Sequence, residues 1–229
     1  MKITYFGHSA LQVESKTHTF LFDPFITGNP LAEGIVTAAE LNPDVVLITH
    51  AHGDHWGDAQ EIIPRSGALF ISNYEICTYL ERKTGYNRYH PMNTGGSASF
   101  EWGNVKQTYA RHSSSFPDGT YGGNPNGFVL QTEGKTLYHA GDTDLFNEMA
   151  YLGEDFEIDV AFLPIGDNFT MGIHDAIRAA KMLRAKKVIP VHHNTFPYIV
   201  TDLHAWQNAM KDAGQNGIIL KPGETFVLE

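Results

Sequence analysis

The sequence predicts an α/β fold of two similar β-rich halves with helices on the outside, packed sheet against sheet. Two observations carry this expectation. DVVLIT (Asp44–Thr49) and the run from Val160 to Pro164 are continuous apolar stretches of strand length, the pattern of strands covered on both faces. The chain also echoes itself. SALQVESKTHTFLFDP (Ser9–Pro24) resembles NGFVLQTEGKTLYHAGD (Asn126–Asp142), each a hairpin ending in an aspartate. Each is followed by a buried strand opening with Asp-Val, at Asp44 and Asp159, and then by ALFIS (Ala68–Ser72) or KVIPVHH (Lys187–His193). Two such units would face each other across a common core and gather polar residues at corresponding strand ends. His50, Asp142 and His192 are therefore expected to converge in a cleft between them.

In chain order, alternating and β-branched residues predict strands at Lys2–Phe6, Ala10–Glu14 and Thr19–Phe22. A loop marked by Gly28, Asn29-Pro30 and Gly34 leads to a short helix around Ala38–Leu41. After the Asp44–Thr49 strand, a helix is expected near Gly57, a strand at Ala68–Ser72 and a helix at Tyr74–Thr84. Strands at Ala98–Glu101 and Val105–Ala110 precede HSSSFPDGTYGGNPNG, which has no apolar periodicity. Long irregular segments of that kind are commonly functional. Strands follow at Phe128–Thr132, Lys135–His139, Val160–Pro164, Lys187–Val191 and Thr225–Leu228, with helices at Asp175–Leu183 and Asp202–Ala213.

Length suits a single domain over residues 1–229, or two intimately packed halves. Sixteen Lys and Arg against 26 Asp and Glu give a formal charge of -10, which disfavours a stable nucleic-acid partner. Cys77 is the lone cysteine and reads as a small buried side chain. The N-terminus lacks the apolar run of a signal peptide and no stretch approaches a membrane span, so a cytoplasmic location is expected. The expected partners are a small-molecule substrate and, in a homo-oligomer, further copies of the chain.

The sharpest chemical signal is THAHGDHWGD (Thr49–Asp58), where an apolar strand runs into His50, His52, Asp54 and His55. Polar groups so close to a buried strand are costly without partners. Imidazole nitrogen and carboxylate oxygen together suit zinc, and also manganese, iron or nickel. A local turn can point His50 and His52 one way and Asp54 and His55 another, which serves two divalent ions better than one.

His-x-His-x-Asp-His after a buried strand resembles the signature of the metallo-β-lactamase superfamily, whose later ligands are matched in order by His112 in ARHSSS, Asp142 in HAGDTD and His192 in IPVHHNTFP. The resemblance implies a four-layer αβ/βα sandwich with a dinuclear metal site at one edge. It places His50, His52 and His112 on one ion, Asp54, His55 and His192 on the other, and Asp142 between them. The ions would activate a water for hydrolysis near neutral pH. Of the adjacent His192 and His193, which point to opposite faces of a strand, the family pattern favours the first. His193 then becomes a supporting or substrate-facing group.

Further motifs (GHSA, FDPF, HSSS, YGGNP, HAGDT and GDNFTMG) resemble a group of bacterial and archaeal metal-dependent hydrolases. That group is similar to ascorbate-6-phosphate lactonase and, more distantly, to phospholipase D enzymes acting on N-acyl phosphatidylethanolamine. The chain departs from it at His174, where relatives often carry an acidic or small residue. Asp54, Asp142 and His8 are the candidate catalytic groups, and His8 in FGHSA reads either as a substrate or support group or as a locally bonded strand end. Asp23 and Asp58 are candidates for holding the outer nitrogens of ligand imidazoles, or are turn formers. Asp167 and Asn168 follow a buried strand and read either as cleft-facing groups or as loop structure. His139 reads as a core residue and His204 as solvent-facing.

The leading expectation is hydrolysis of a small phosphorylated, ester or lactone substrate. A phosphodiesterase or nuclease of the same fold and a non-catalytic metal-binding scaffold are the alternatives. A di-iron redox protein is disfavoured because a flavin domain does not fit this length.

Overall fold

The computed structural model describes residues 1–229. The chain opens with an antiparallel run of β1 (Lys2–Gly7), β2 (Ala10–Glu14) and β3 (Thr19–Phe22). It then adds β4 (Val45–Leu47), β5 (Leu69–Asn73) and β6 (Tyr89–Met92) in parallel. Parallel neighbours need crossover connections, and α1 (Gly53–Trp56), α2 (Ala59–Ser66) and α3 (Tyr74–Thr84) lie within those crossovers.

The second sheet repeats the plan. β7 (Ser97–Phe100), β8 (Gly103–Tyr109), β9 (Asn126–Thr132) and β10 (Lys135–His139) run antiparallel, and β11 (Val160–Pro164) and β12 (Val188–Val191) extend them in parallel. Helices α4 (Met149–Asp155) and α5 (Ile173–Leu183) fall in the crossovers; α6 (Leu203–Asp212) follows β12 and β13 (Thr225–Val227) returns to pair with β1. The sheets have the orders β13-β1-β2-β3-β4-β5-β6 and β12-β11-β10-β9-β8-β7. The echo in the sequence is therefore a repeat in space: hairpin β2–β3 with β4 and β5 matches hairpin β9–β10 with β11 and β12.

Three apolar clusters define the layers. Between the sheets lie Ile3, Leu11, Phe20 and Val45 from the first sheet against Phe128, Leu137, Phe162 and Ile189 from the second. Outside the first sheet, Leu21, Val46 and Phe70 meet Ile62, Ile63, Ile76 and Leu80 of the helices. Outside the second, Val129, Ala161 and Leu163 meet Ala176, Ala179, Leu183 and Trp206. Side chains alternate across a strand, so Val45 and Leu47 enter the central core while Val46 faces the helices. That division explains why β4 is apolar at every position. The result is the αβ/βα sandwich the sequence predicted.

The structure corrects the sequence reading at three places. The helix expected to start near Gly57 is α2, from Ala59, but a further short helix, α1 from Gly53, precedes it, and Gly57 separates the two at φ 42, where an added Cβ would collide with Pro24 O and the Phe25 backbone. β6 was not foreseen because YHPM has no alternation and contains a proline; it is an edge strand, where proline is tolerated. Helix α4 was also missed. Its short MAYLGED segment owes its position to tertiary packing: Met149 and Leu152 are buried, and a Cβ on Gly153 would strike the backbone at Met182–Leu183 of α5.

Cys77 sits at 0% exposure inside the helix-side cluster of the first sheet. Burial pushes its thiol up to about 12. Since the thiolate is the reactive form, the folded protein should resist iodoacetamide at mildly alkaline pH and be alkylated once unfolded. Mass spectrometry reads both states, and rapid labelling of folded protein would contradict this burial.

Candidate metal centre

The metal-ligand candidates are carried by turns that leave the two sheets on the same side. β4 delivers His50, and the chain turns through His52 into α1, which presents Asp54 and His55. His112 follows β8, Asp142 follows β10 and His192 follows β12 immediately. These turns need unusual backbone. His8, Asp23, His192 and Asn194 all have positive φ, a conformation non-glycine residues adopt at a cost and that often marks functional sites. Gly141 relieves the same demand before Asp142, since a Cβ at its φ of 65° would strike Asn126 O.

The donor atoms fall into overlapping groups, each with all atoms within 4.8 Å of one another: His50, His52 and His112; His8, Asp54, His55 and His192; and His50, His55 and Asp142. Asp142 lies at the centre. Its Oδ2 is 3.0 Å from His192 Nε2, 3.5 Å from His112 Nε2 and 3.8 Å from His50 Nε2, while Oδ1 is 3.2 Å from His55 Nε2. His50, His55, Asp142 and His192 are buried, while His52, Asp54 and His112 are partly exposed and form the open side of the cluster.

Asp23 organises the imidazoles from behind. Its carboxylate accepts hydrogen bonds from Thr49 N (2.8 Å), Thr49 Oγ1 (2.7 Å) and His55 Nδ1 (2.8 Å). Because the Thr49 hydroxyl spends its proton on Asp23, its oxygen accepts from His50 Nδ1 at 3.0 Å. Both His50 and His55 are thus held by Nδ1 and turn Nε2 toward the cluster. The echoing aspartates Asp23 and Asp142 address opposite nitrogens of the same His55 ring.

The electrostatics follow from burial and charge. Burial opposes charging His55, but Asp142 and Asp23 outweigh it and raise its pKa well above the ordinary value. Burial also opposes the Asp142 carboxylate, yet His192 and His55 hold it well below the usual range. Burial, then the neighbouring His55, keeps His50 neutral. His52 and His112 are also lowered by burial. His55 Nε2 and Asp142 Oδ1, both buried and 3.2 Å apart, face each other at the centre of this space. Imidazole nitrogens and carboxylate oxygens converging there from several elements fit divalent cations.

The remaining candidates divide. Asp23 orients His55, as the sequence reading allowed. Asp58 does not hold an imidazole: its Oδ2 accepts from Ile26 N and Thr27 N at 3.0 and 2.8 Å and pins the loop after β3. His193 is buried near Tyr5 with neither ring nitrogen bonded, its pKa lowered by burial to about 4, and it stands outside the donor groups. Asn168 is exposed and donates its backbone N–H to Asp167 Oδ1. His139 is a core residue stacked on Phe22. Sequence reasoning missed Thr49, Ser114, Thr143 and Thr195. Ser114 Oγ accepts from Ala51 N, and Thr143 Oγ1 accepts from Arg111 N, tying the loop that carries His112 to the other turns. Short hydroxyl side chains carry no motif of their own, so only their position next to a ligand candidate could have flagged them. Phe25 and Phe196 stand edge-on to His8, with ring centroids 5.7 and 5.4 Å away, and form an apolar wall beside Asp54.

Comparison with known proteins agrees with this geometry. Residues 2–192 match the model of the beta-lactamase superfamily domain. The chain belongs to the metallo-β-lactamase superfamily. Within it, the chain is 46% identical over its whole length to a metal-dependent hydrolase of Salinibacter ruber, and 46% identical to one of Thermus thermophilus, covering 100% of each relative. Among solved structures it is similar to Igni18, a metallo hydrolase of the hyperthermophilic archaeon Ignicoccus hospitalis, with a TM-score of 0.89, 41% identity, and coverage of 100% of this chain and 99% of that one.

If a cation binds through His55, it displaces the proton that Asp142 and Asp23 hold there, so apparent metal affinity is expected to rise as pH approaches the raised pKa of His55, with proton release on binding. Calorimetry in buffers of different ionisation enthalpy measures that release; a count of zero would contradict the arrangement. Replacing Asp23 by Asn should weaken metal binding by about 10–100-fold, as loss of such outer hydrogen bonds typically does, and chelator competition provides the readout.

Proposed function

We propose that the protein is a hydrolase with a dinuclear metal centre, acting on a small phosphorylated, ester or lactone substrate. The observation that carries this reading is the sharing of Asp142 between two sets of donors. His50, His52 and His112 would hold one ion, and Asp54, His55 and His192 the other, with Asp142, whose carboxylate lies within 3.8 Å of His50, His55, His112 and His192, between them. A carboxylate in that position offsets repulsion between neighbouring cations. Zinc suits the imidazole-rich donor set, with manganese, iron and nickel as chemically acceptable substitutes. When bound, the ions supply an activated water and polarise the bond under attack.

The residues of the chain do the rest. His52, Asp54 and His112 form the side open to substrate. Asp54, lowered by its hydrogen bond to His8 although burial opposes this, stays ionised there. Phe25 and Phe196 restrict water on the His8 side and supply contact for an apolar part of the substrate. Metal-dependent hydrolase is also the name carried by the full-length relatives, which supports hydrolysis over a passive scaffold.

Replacing Asp142 with Ala is expected to abolish turnover and bound metal, and His50→Ala to lose at least one ion per chain, both measured by elemental analysis. A panel of esters, lactones and phosphodiesters assayed with defined metals tests the reaction class. Turnover of phosphodiesters alone would move the assignment to that chemistry, and no turnover with any metal would leave a binding scaffold.

A further inference from the structure

His8 lies among the donors of the second group, yet its hydrogen bonds differ in sense from those of His50 and His55. His8 is at 0% exposure. Its Nδ1 is 2.9 Å from Thr195 Oγ1 and its Nε2 is 3.0 Å from Asp54 Oδ2. The Thr195 hydroxyl has one proton and two places to send it: His8 Nδ1, or His193 O at the longer distance of 3.3 Å. Asp54 as a carboxylate can only accept. If Thr195 donates to Nδ1, one proton on Nε2 satisfies both contacts of a neutral ring. If Thr195 donates to His193 O, the ring must either turn a lone pair on Asp54 or carry a full charge. That charge would sit out of water, with the His192 ring centroid 4.2 Å away. The shorter contact at Nδ1, and a carboxylate at Nε2 that can only accept, select the first arrangement.

We infer that Thr195 is a positioning residue that holds His8 as the Nε2–H tautomer, so that His8 donates to Asp54 and is not itself a metal ligand. This rests on the reading of Asp54 as a ligand. His8 donates to Asp54 Oδ2, the oxygen that also lies 3.8 Å from His192 Nε2, and so fixes the most accessible carboxylate of the cluster beside the donors of the second ion. Geometry supports the rigidity of the device. His8 O accepts from His192 N at 2.7 Å and from Tyr5 Oη at 3.3 Å, so the end of β1 and the end of β12 are bound together through His8. A Thr195 hydroxyl on the loop after His192 thereby reaches Asp54, which belongs to the other half of the sandwich. His50 and His55 are held through Nδ1, by Thr49 and Asp23, and turn Nε2 toward the centre of the cluster, whereas His8 turns its Nε2–H to Asp54.

The test is ¹⁵N NMR of histidine-labelled protein, metal-free and loaded with zinc, with His8 assigned by the signals lost in His8→Gln. A protonated Nε2 and an unprotonated Nδ1 on His8 are expected in both forms. Thr195→Val should mix the tautomers and weaken the second zinc ion by about 10-fold in chelator competition, while Thr195→Ser should retain the wild-type pattern. A His8 protonated at Nδ1, or Thr195→Val indistinguishable from wild type, would overturn the inference. Its failure is separable from failure of the proposed function. A chain that binds no zinc removes the dinuclear reading, whereas the tautomer is still read in the metal-free protein.

Discussion

The structure depends on the burial of a carboxylate, Asp142, at 2% exposure among imidazoles. An uncompensated ion in that setting would cost several kcal/mol. It is tolerated because four imidazoles, those of His50, His55, His112 and His192, surround it and because one of them, His55, is charged by two aspartates at once. Every strained backbone position around the cleft serves this convergence. Positive φ at His8, Asp23 and His192 turns the chain at the strand ends so that side chains face inward instead of continuing along the sheet.

The internal repeat explains why the convergence is possible. In each half a hairpin is extended by two parallel strands, so corresponding strands end on the same side of the sandwich. Asp23 and Asp142 occupy matching places after β3 and β10. Their roles have diverged: Asp23 lies behind the imidazoles and orients them, while Asp142 lies among them. The central apolar cluster holds the two halves in register, and the His192 N–H to His8 O bond closes them at the cleft. A change in sheet packing would therefore be felt at the metal centre directly.

Much of this was legible beforehand. Hairpins and buried strands show a period of two or an unbroken apolar run, both set by local geometry, and the donor residues of a metal centre belong to few residue types. What resisted reading was whatever lacked a local signature. β6 has a proline and no alternation, and α4 is short and helical only because Gly153 lets it approach α5. Asp58 and Asp23 look alike in sequence, each an aspartate in a turn. The fold brings one to an imidazole and the other to the amides of Ile26 and Thr27.

By itself the sequence determined the two β-rich halves, the repeat and the candidate donors at His50, His52, Asp54 and His55, because these are written in residue type, spacing and periodicity; the resemblance to the superfamily supplied the remaining candidates His112, Asp142 and His192 and the four-layer arrangement. Only tertiary structure decided which histidine turns which nitrogen toward the cluster, and that His193 is buried outside the donor groups. Those outcomes depend on hydroxyl and carboxylate partners contributed by distant segments, such as Thr49 and Asp23 for His50 or Thr195 for His8. A hydrogen bond is directional over about 3 Å, a precision that sequence spacing does not carry.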